Sequence, residues 1–301
     1  MKKRLKKVNN SFLLFFFLLS PFFLFSLFAQ KPQNEFSIYV GGGYEAFIIQ
    51  KPTSKSSSKG YGIDAGVGFT VFFDRNWGLH TGVGFGLFNV NNEVDKFYFI
   101  TPEQEDCERY LYNLHTTLNN YSENHKTLFI TLPIMVLYQT KMAPLSYKSK
   151  SAKAGFYAMV GAKTLFHIKN NYTTKVASIF NAAYYPEFDN WINELPILWL
   201  GKFSGSGTNG KMKFNVLPMF AFETGFKWQI GKNLYLYTGV YFDCGLYDYT
   251  KKSRTSYTDY TAPEHLSELK LIDFAKRMNL MAVGVKLRLA FCKSKPKTCC
   301  R

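Results

Sequence analysis

Eight charged side chains recur at alternate positions of segments that are otherwise apolar and rich in glycine. They are four acids and four bases: Glu45, Asp64, Lys163, Glu223, Lys227, Asp243, Lys286 and Arg288. Charges on the inner face of a folded chain persist when they are paired and hydrogen-bonded, because removing one partner is strongly destabilising. The pattern therefore predicts a structural ion-pair network. The alternative use of such a cluster is a proton-linked gate or a catalytic centre.

Histidine is the side chain best suited to acid–base catalysis near neutral pH. The chain has five: His80, His115, His125, His167 and His265. His167 shares the charged face and one end of the pattern with Asp64 and Asp243, so the alternative function is a rim-site enzyme acting on lipid or peptide. No serine stands in a recognisable nucleophile context, and neither GxSxG nor HExxH occurs. We therefore predict no catalytic residue and a protein that is not an enzyme.

A cluster of carboxylates, Glu103, Glu105, Asp106 and Glu108, surrounds Cys107. Carboxylate oxygens bind divalent cations, but this spacing fits no EF-hand and favours a solvated acidic face. The five cysteines include no pair of CxxC motifs that would indicate zinc. The sequence predicts neither a metal nor a cofactor.

The elements that position these side chains follow from a period-two alternation of apolar and polar residues, which is typical of β-strands. Eight segments show it: residues 36–49, 61–73, 77–87, 127–139, 154–168, 213–229, 234–244 and 278–291. Each is as long as or longer than the roughly 9–11 residues that a tilted strand needs to cross a bilayer. Short turns at 74–76 and 231–233 alternate with long connections, as in outer-membrane barrels. The predicted fold is an all-β, eight-stranded antiparallel up-and-down transmembrane β-barrel.

The apolar face of these strands is predicted to contact lipid. The opposite face carries too few charges for a solvated exterior, and its glycines suit the crowded interior of a small barrel. Large residues of the apolar face gather toward the short turns, as an aromatic girdle does at a membrane interface. This girdle comprises Phe36, Phe73, Trp77, Tyr138, Phe156, Trp228 and Phe291. The alternative is a soluble, lipocalin-like exported barrel that binds a lipophilic ligand.

The amino terminus has the features of a secretory signal peptide. Five basic residues precede an apolar run that ends at Ala29, after which we predict cleavage. Residues 30–291 then form the barrel domain, with long loops at 91–126, 169–212 and 250–277, and residues 292–301 form a basic, cysteine-containing tail. The net charge of +16 falls by those five residues to +11. No basic run remains, which disfavours nucleic acid and favours acidic lipid headgroups as partners.

The loop at 169–212 contains an apolar stretch that is unusual for an exposed segment. Its large side chains are Trp191, Ile192, Leu195, Ile197, Leu198 and Trp199. Exposed apolar patches commonly mark interaction sites, so one hypothesis is a docking surface for a protein partner. The alternative is that these residues pack over the rim of the barrel.

Three strand motifs resemble the small outer-membrane β-barrel proteins called PorT-like, which share their architecture with OmpA-type barrels. The motifs are residues 131–138 (TLPIMVLY), residues 156–162 (FYAMVGA) and residues 234–245 with Tyr241 and Gly245. The resemblance spans the mature chain and implies an outer-membrane barrel, but not a particular function. We therefore predict a non-enzymatic protein whose loops serve binding, adhesion, envelope integrity or assembly with a secretion partner. Its predicted partners are outer-membrane lipid, lipopolysaccharide and possible proteins at the loops.

Overall fold

The computed structural model describes residues 33–50, 56–144, 153–205, 207–212, 216–248 and 277–292. The predicted signal peptide, almost all of the connection at 250–277 and residues 293–301 of the tail lie outside these ranges. The described segments contain no helix with the length and apolar character that a membrane crossing requires.

The described residues form one antiparallel system of thirteen strands. The strands are β1 (Gln33–Gln50), β2 (Ser56–Phe72), β3 (Trp77–Glu105), β4 (Leu111–Gln139), β5 (Ala143–Pro144), β6 (Lys153–Lys175), β7 (Ser178–Tyr185), β8 (Asn190–Ile192), β9 (Gly201–Ser204), β10 (Gly207–Lys211), β11 (Leu217–Gln229), β12 (Leu234–Gly245) and β13 (Arg277–Cys292). A 3-10 helix at Pro196–Leu198 separates β8 from β9.

Eight of these strands close a barrel in the order β1, β2, β3, β4, β6, β11, β12, β13. The ring closes because β13 pairs with both β12 and β1, placing Phe291 opposite Leu234 and Phe36. The predicted eight-stranded antiparallel barrel is confirmed. Its narrow interior leaves room for side chains but not for an open channel.

The two short turns lie where the alternation predicts them. In the β2–β3 turn the Asp74 N–H donates to the Trp77 carbonyl at 3.3 Å, and in the β11–β12 turn the Ile230 N–H donates to the Leu234 carbonyl at 3.1 Å. Short turns face the periplasm in outer-membrane barrels, and on this expectation we call the opposite end, where β3 and β4 extend, the external end.

The segment 91–126, predicted as a loop, is instead a β-hairpin. Strands β3 and β4 have 29 residues each and pair as far as Glu105 and Leu111. The sequence pattern does not predict this extension, because the consecutive residues Asp95 and Lys96 are both exposed. They interrupt the alternation of buried and exposed side chains. A register shift between Thr101 and Gln104 breaks it again.

Residues 169–212, also predicted as a loop, are mostly strands. The end of β6 extends to Lys175, β7 pairs with β4, and both β8 and β9 pair with β7. We call residues 94–119 of the β3–β4 hairpin together with β7, β8 and β9 the external platform. It is held by its own apolar cluster, which includes Phe97, Leu118 and Ile179. The platform can be recognised only from the pairing of strands that are distant in the sequence.

The barrel interior is layered. Near the short turns an apolar cluster contains Leu137, Tyr157 and Tyr237, and toward the external end another contains Phe88 and Leu217. The charged side chains lie buried between and beside these clusters. Outward-facing apolar residues are exposed on the barrel wall: Ile38, Val67, Phe85, Ile134, Phe222, Val240 and Val285. The soluble, lipocalin-like alternative is therefore wrong, because it requires the opposite arrangement of faces.

Candidate functional site

The centre of the barrel interior is an ion-pair cluster around Glu223, which β11 points inward. Arg288 on β13 donates from Nη2 to both carboxylate oxygens at 2.8 and 2.9 Å. The Tyr157 hydroxyl donates to Oε1 at 2.9 Å, and Lys286 Nζ lies 3.5 Å from Oε2. Each of these side chains is buried. The contacts therefore give Glu223 the paired and hydrogen-bonded environment that a buried charge requires.

A second group of ion pairs lies toward the external end. Lys163 donates a hydrogen bond to Asp243, and Lys286 Nζ lies 3.9 Å from Asp64. Glu45 lines a cavity of about 20 Å³ that these side chains surround. That volume accommodates roughly one water molecule. The arrangement closes the interior rather than leaving a pore or a ligand chamber there.

Glu35 is a member of the interior network that the sequence analysis missed. It accepts hydrogen bonds from Lys227 at 2.6 Å and from the Tyr237 hydroxyl at 2.6 Å. Lys227 also donates to Gln139 Oε1 at 2.9 Å. We predicted that the first strand begins at residue 36, whereas β1 begins three positions earlier, at Gln33, and includes Glu35. Extending its inward face from Tyr39 through Ser37 would have reached Glu35.

Of the eight predicted network residues, seven form ion pairs and Glu45 borders the cavity. The structure thus brings the set into one closed interior. The two aspartates that we considered as partners of His167 are each engaged by a lysine. Within the described ranges, no three histidine, cysteine or acidic side chains converge as a candidate metal site.

The predicted girdle residues lie on the outer wall near the short turns. Six are exposed: Phe36, Phe73, Trp77, Tyr138, Phe156 and Phe291. Trp77 packs against Tyr138 with ring centroids 4.9 Å apart. Trp228 is half-buried and donates from Nε1 to Thr238 at 2.9 Å. Contact between this girdle and the membrane interface stays a prediction.

The external platform carries an aromatic cluster on one face, formed by Tyr98 of β3, His115 of β4, Tyr184 of β7 and Trp191 of β8. The ring centroid of His115 lies 4.5 Å from that of Trp191 and 5.8 Å from that of Tyr98. The rings of Tyr184 and Trp191 are 5.0 Å apart. Four separate strands therefore build one aromatic surface, of which Trp191 remains 50% and Tyr98 46% exposed.

Hydrogen bonds hold this aromatic cluster in place. The Tyr98 hydroxyl and His115 Nδ1 share a hydrogen bond, and the Tyr184 hydroxyl donates to Asp189 at 2.8 Å. The bond to Asp189 raises the pKa of Tyr184, and burial lowers the pKa of His115 below its ordinary value of 6.5. His115 is therefore neutral at pH 7 and can share the bond with Tyr98.

The side chains of residues 191–199 divide between packing and exposure, and docking of a partner on this stretch stays a prediction. Ile192, Leu195 and Leu198 pack on an apolar cluster of the platform that contains Leu114 and Leu200. The remaining three side chains, Trp191, Ile197 and Trp199, are exposed. One half of the stretch thus fixes it to the platform, and the other half faces outward.

The carboxylate cluster at the tip forms a turn. Asp106 Oδ1 accepts the backbone N–H groups of Glu108 and Tyr110, each at 2.9 Å. Its other oxygen accepts the Tyr185 hydroxyl at 3.1 Å. Burial, reinforced by this hydrogen bond, raises the pKa of Tyr185 to about 12. Asp106 therefore ties the hairpin tip to β7.

We expect the fluorescence of Trp191 to change when His115 is protonated, because the two rings are in contact. A histidine with a lowered pKa stabilises the folded platform above its ordinary value of 6.5, and this contribution is lost as the pH falls through the folded pKa. Subtracting the emission of the Trp191→Phe variant from that of the native protein at each pH isolates the fluorescence of Trp191. The titration of this difference should have a midpoint below pH 6.5. His115→Phe should abolish that transition, and a midpoint at or above the ordinary value would contradict the burial.

A protein family described as outer membrane protein beta-barrel domain matches residues 28–191 of the chain. Among solved structures, Ail of Yersinia pestis is 9% identical with a TM-score of 0.24, over 86% of this chain and 99% of that one. OprG of Pseudomonas aeruginosa is 12% identical with a TM-score of 0.30, over 86% and 96%. Neisserial surface protein A is 8% identical with a TM-score of 0.25, over 85% and 97%. The comparison with curated proteins finds no match.

Proposed function

Because the chain belongs to the outer membrane protein beta-barrel domain family, we propose that it is a non-enzymatic binding protein of the outer membrane whose external platform docks a protein partner. The observation that carries this proposal is the aromatic cluster of Tyr98, His115, Tyr184 and Trp191. The proposal includes export by a signal peptide cleaved after Ala29 and, on residues 131–138 and 234–245, a place among the PorT-like members.

The aromatic cluster has the composition of a binding hot spot. Tryptophan and tyrosine dominate binding energy at protein interfaces because each buries a large rigid surface and keeps a polar group available. The neighbouring Ile100 and Phe180 are exposed as well and widen the apolar surface. These side chains sit on paired strands, so little conformational freedom remains to be lost when a partner binds. The proposed role of this surface is binding in adhesion, envelope integrity or assembly with a secretion partner.

The barrel interior supports a role without catalysis. Glu223, Asp243 and Glu35 each form an ion pair with a lysine or arginine inside the barrel. The cavity of about 20 Å³ beside Asp243 cannot admit a lipid or a peptide. The barrel then serves as a rigid membrane anchor for the platform.

The proposal is tested by photo-crosslinking in intact cells. A photoreactive phenylalanine analogue placed at Trp191 should give one dominant adduct, and the same analogue at the exposed Tyr247 should not. Hot-spot residues contribute about 2 kcal/mol or more each, so Tyr98→Ala should reduce the adduct at Trp191 by roughly tenfold or more.

Tyr247→Ala is the matched control, because Tyr247 is exposed at the same end of the barrel but lies outside the cluster. It should leave the adduct at Trp191 unchanged. Equal adducts at Trp191 and Tyr247, or an adduct at Trp191 that Tyr98→Ala leaves intact, would contradict docking on this face.

A further inference from the structure

The outer wall changes from apolar to polar at one level of β2, β3, β4 and β6. Ile63, Leu87 and Leu128 are paired neighbours and form the last apolar row. Lys169 of β6 continues this row, because it pairs with Leu128. Side chains that follow an apolar barrel wall directly on its external side lie at the level of lipid headgroups.

Two polar rows follow above this boundary. The first consists of Tyr61, Asn89, Lys126, Asn171 and Lys211, and the second of Lys59, Asn91, Asn124, Thr173 and Asn209. Lys175 lies one row further out, opposite Ser122. We call these two rows, with Lys169 and Lys175, the basic face. It spans β2, β3, β4, β6 and β10, and the sequence separates its members by up to about 150 positions.

The basic face is concave. At the boundary, the β4–β6 register shifts between Leu128 and Phe129, and a bulge of this kind bends a sheet. Two adjoining clefts of about 400 and 420 Å³ open on the polar side of this shift, and Asn89 and Lys126 line both. The cleft of about 400 Å³ is also lined by Leu87 and Leu128, so it connects the apolar wall to the lysines.

The lysines of the basic face are available to a ligand. Lys59, Lys126, Lys169, Lys175 and Lys211 are exposed. In the part of the chain that the structure describes, none of the five lies within ion-pair distance of an acid. Glu93 lies opposite Ser122 and accepts a hydrogen bond from Asn91. Within the described ranges, the charge of this face is therefore not balanced by ion pairs.

The charge distribution distinguishes this face from the rest of the external part. Residues 94–109 of the platform carry five acidic and two basic side chains. The lysines are thus concentrated at the membrane boundary and the acids farther out.

We propose that the basic face binds the phosphorylated headgroup of an outer-leaflet glycolipid. The lysine ammonium groups match its phosphates, the asparagine amides match its sugar hydroxyls, and the apolar row ending at Leu128 contacts its acyl chains. This assignment is independent of the protein partner proposed for the platform, because the basic face lies closer to the membrane and shares none of the aromatic cluster.

The test uses the full mature chain in neutral detergent and fluorescent diphosphoryl lipid A as the probe. The variant Lys126→Gln/Lys169→Gln/Lys211→Gln removes three charges from the basic face. Each basic side chain at an anionic lipid surface contributes about 1 kcal/mol, so the affinity should fall roughly a hundredfold. Lys126→Gln alone should cost about fivefold, because Lys126 lines both clefts.

The matched control, Arg75→Gln/Lys141→Gln/Lys232→Gln, removes the same charge from exposed positions at the opposite end of the barrel. It should keep nearly the native affinity, and both variants should keep the gel shift on boiling of a folded barrel. Dephosphorylated lipid A should bind native protein and basic-face variant alike, and weakly. Equal losses in both triple variants, or native affinity for the dephosphorylated lipid, would overturn the proposal.

Discussion

Arg288→Met should lower the free energy of unfolding of the barrel by about 3–5 kcal/mol, because it removes the nearer cation, and among the described residues the only one hydrogen-bonded to the buried carboxylate of Glu223. Glu223 is 2% exposed and receives two hydrogen bonds from Arg288. Tyr157 and Lys286 remain nearby, but a neutral hydroxyl and a lysine at 3.5 Å do not replace those contacts. Methionine fills most of the vacated volume, so the loss reports charge and not a cavity.

Urea unfolding of protein refolded into lipid vesicles measures this loss, with Lys232→Met as the control. Lys232 is exposed in the β11–β12 turn, and a surface substitution of this kind changes stability by roughly 0.5 kcal/mol or less. Similar stabilities for the two variants would show that Glu223 does not depend on Arg288. The Glu223→Gln/Arg288→Met double variant should recover part of the loss, because it removes the orphaned charge.

Lys227→Met should also lower the free energy of unfolding by about 3–5 kcal/mol. The ion pair of Lys227 with Glu35 lies at the end of the interior near the short turns. The substitution leaves Glu35, which is 2% exposed, with the Tyr237 hydroxyl as a hydrogen-bond donor but without its cation. Glu35→Leu/Lys227→Met should regain most of the stability, because an apolar pair of similar volume needs no compensation for desolvation.

Urea unfolding in lipid vesicles gives the free energy of unfolding of the native protein, of Glu35→Leu, of Lys227→Met and of the double variant. A coupling energy of several kcal/mol between Glu35 and Lys227 is expected, since residues in direct contact are not additive. Additive losses from Glu35→Leu and Lys227→Met would show that the pair is not a unit. Ser37→Ala, on the same inward face of β1, serves as the neighbouring control.

These interior contacts explain how the barrel supports the external platform. The charges join β1 with β11 through Glu35 and Lys227, and β6 with β12 through Lys163 and Asp243. Strands that are not neighbours in the ring are thereby joined across the interior. The two 29-residue strands of the hairpin continue from this cross-linked barrel into the platform.

The alternation of side chains determined the core of this fold without any structure. Successive residues of a strand point to opposite faces, so the apolar wall around Val67 and Phe85 and the inward charges at Asp64 and Glu223 could both be read from local sequence. The short turns at 74–76 and 231–233 followed from the same pattern. These features depend on residues close together in the chain, which is why the sequence alone determined them.

Tertiary structure decided which residues meet. Glu35 and Lys227 lie 192 positions apart, and the register that joins them depends on closure of the ring through β13. Four strands build the aromatic cluster, and five build the basic face, whose members look like ordinary loop residues one by one. The extension of β3 and β4 was hidden at Asp95 and Lys96, where local alternation fails but long-range pairing continues. Pairing between distant strands is a property of the whole chain, and only the folded barrel contains it.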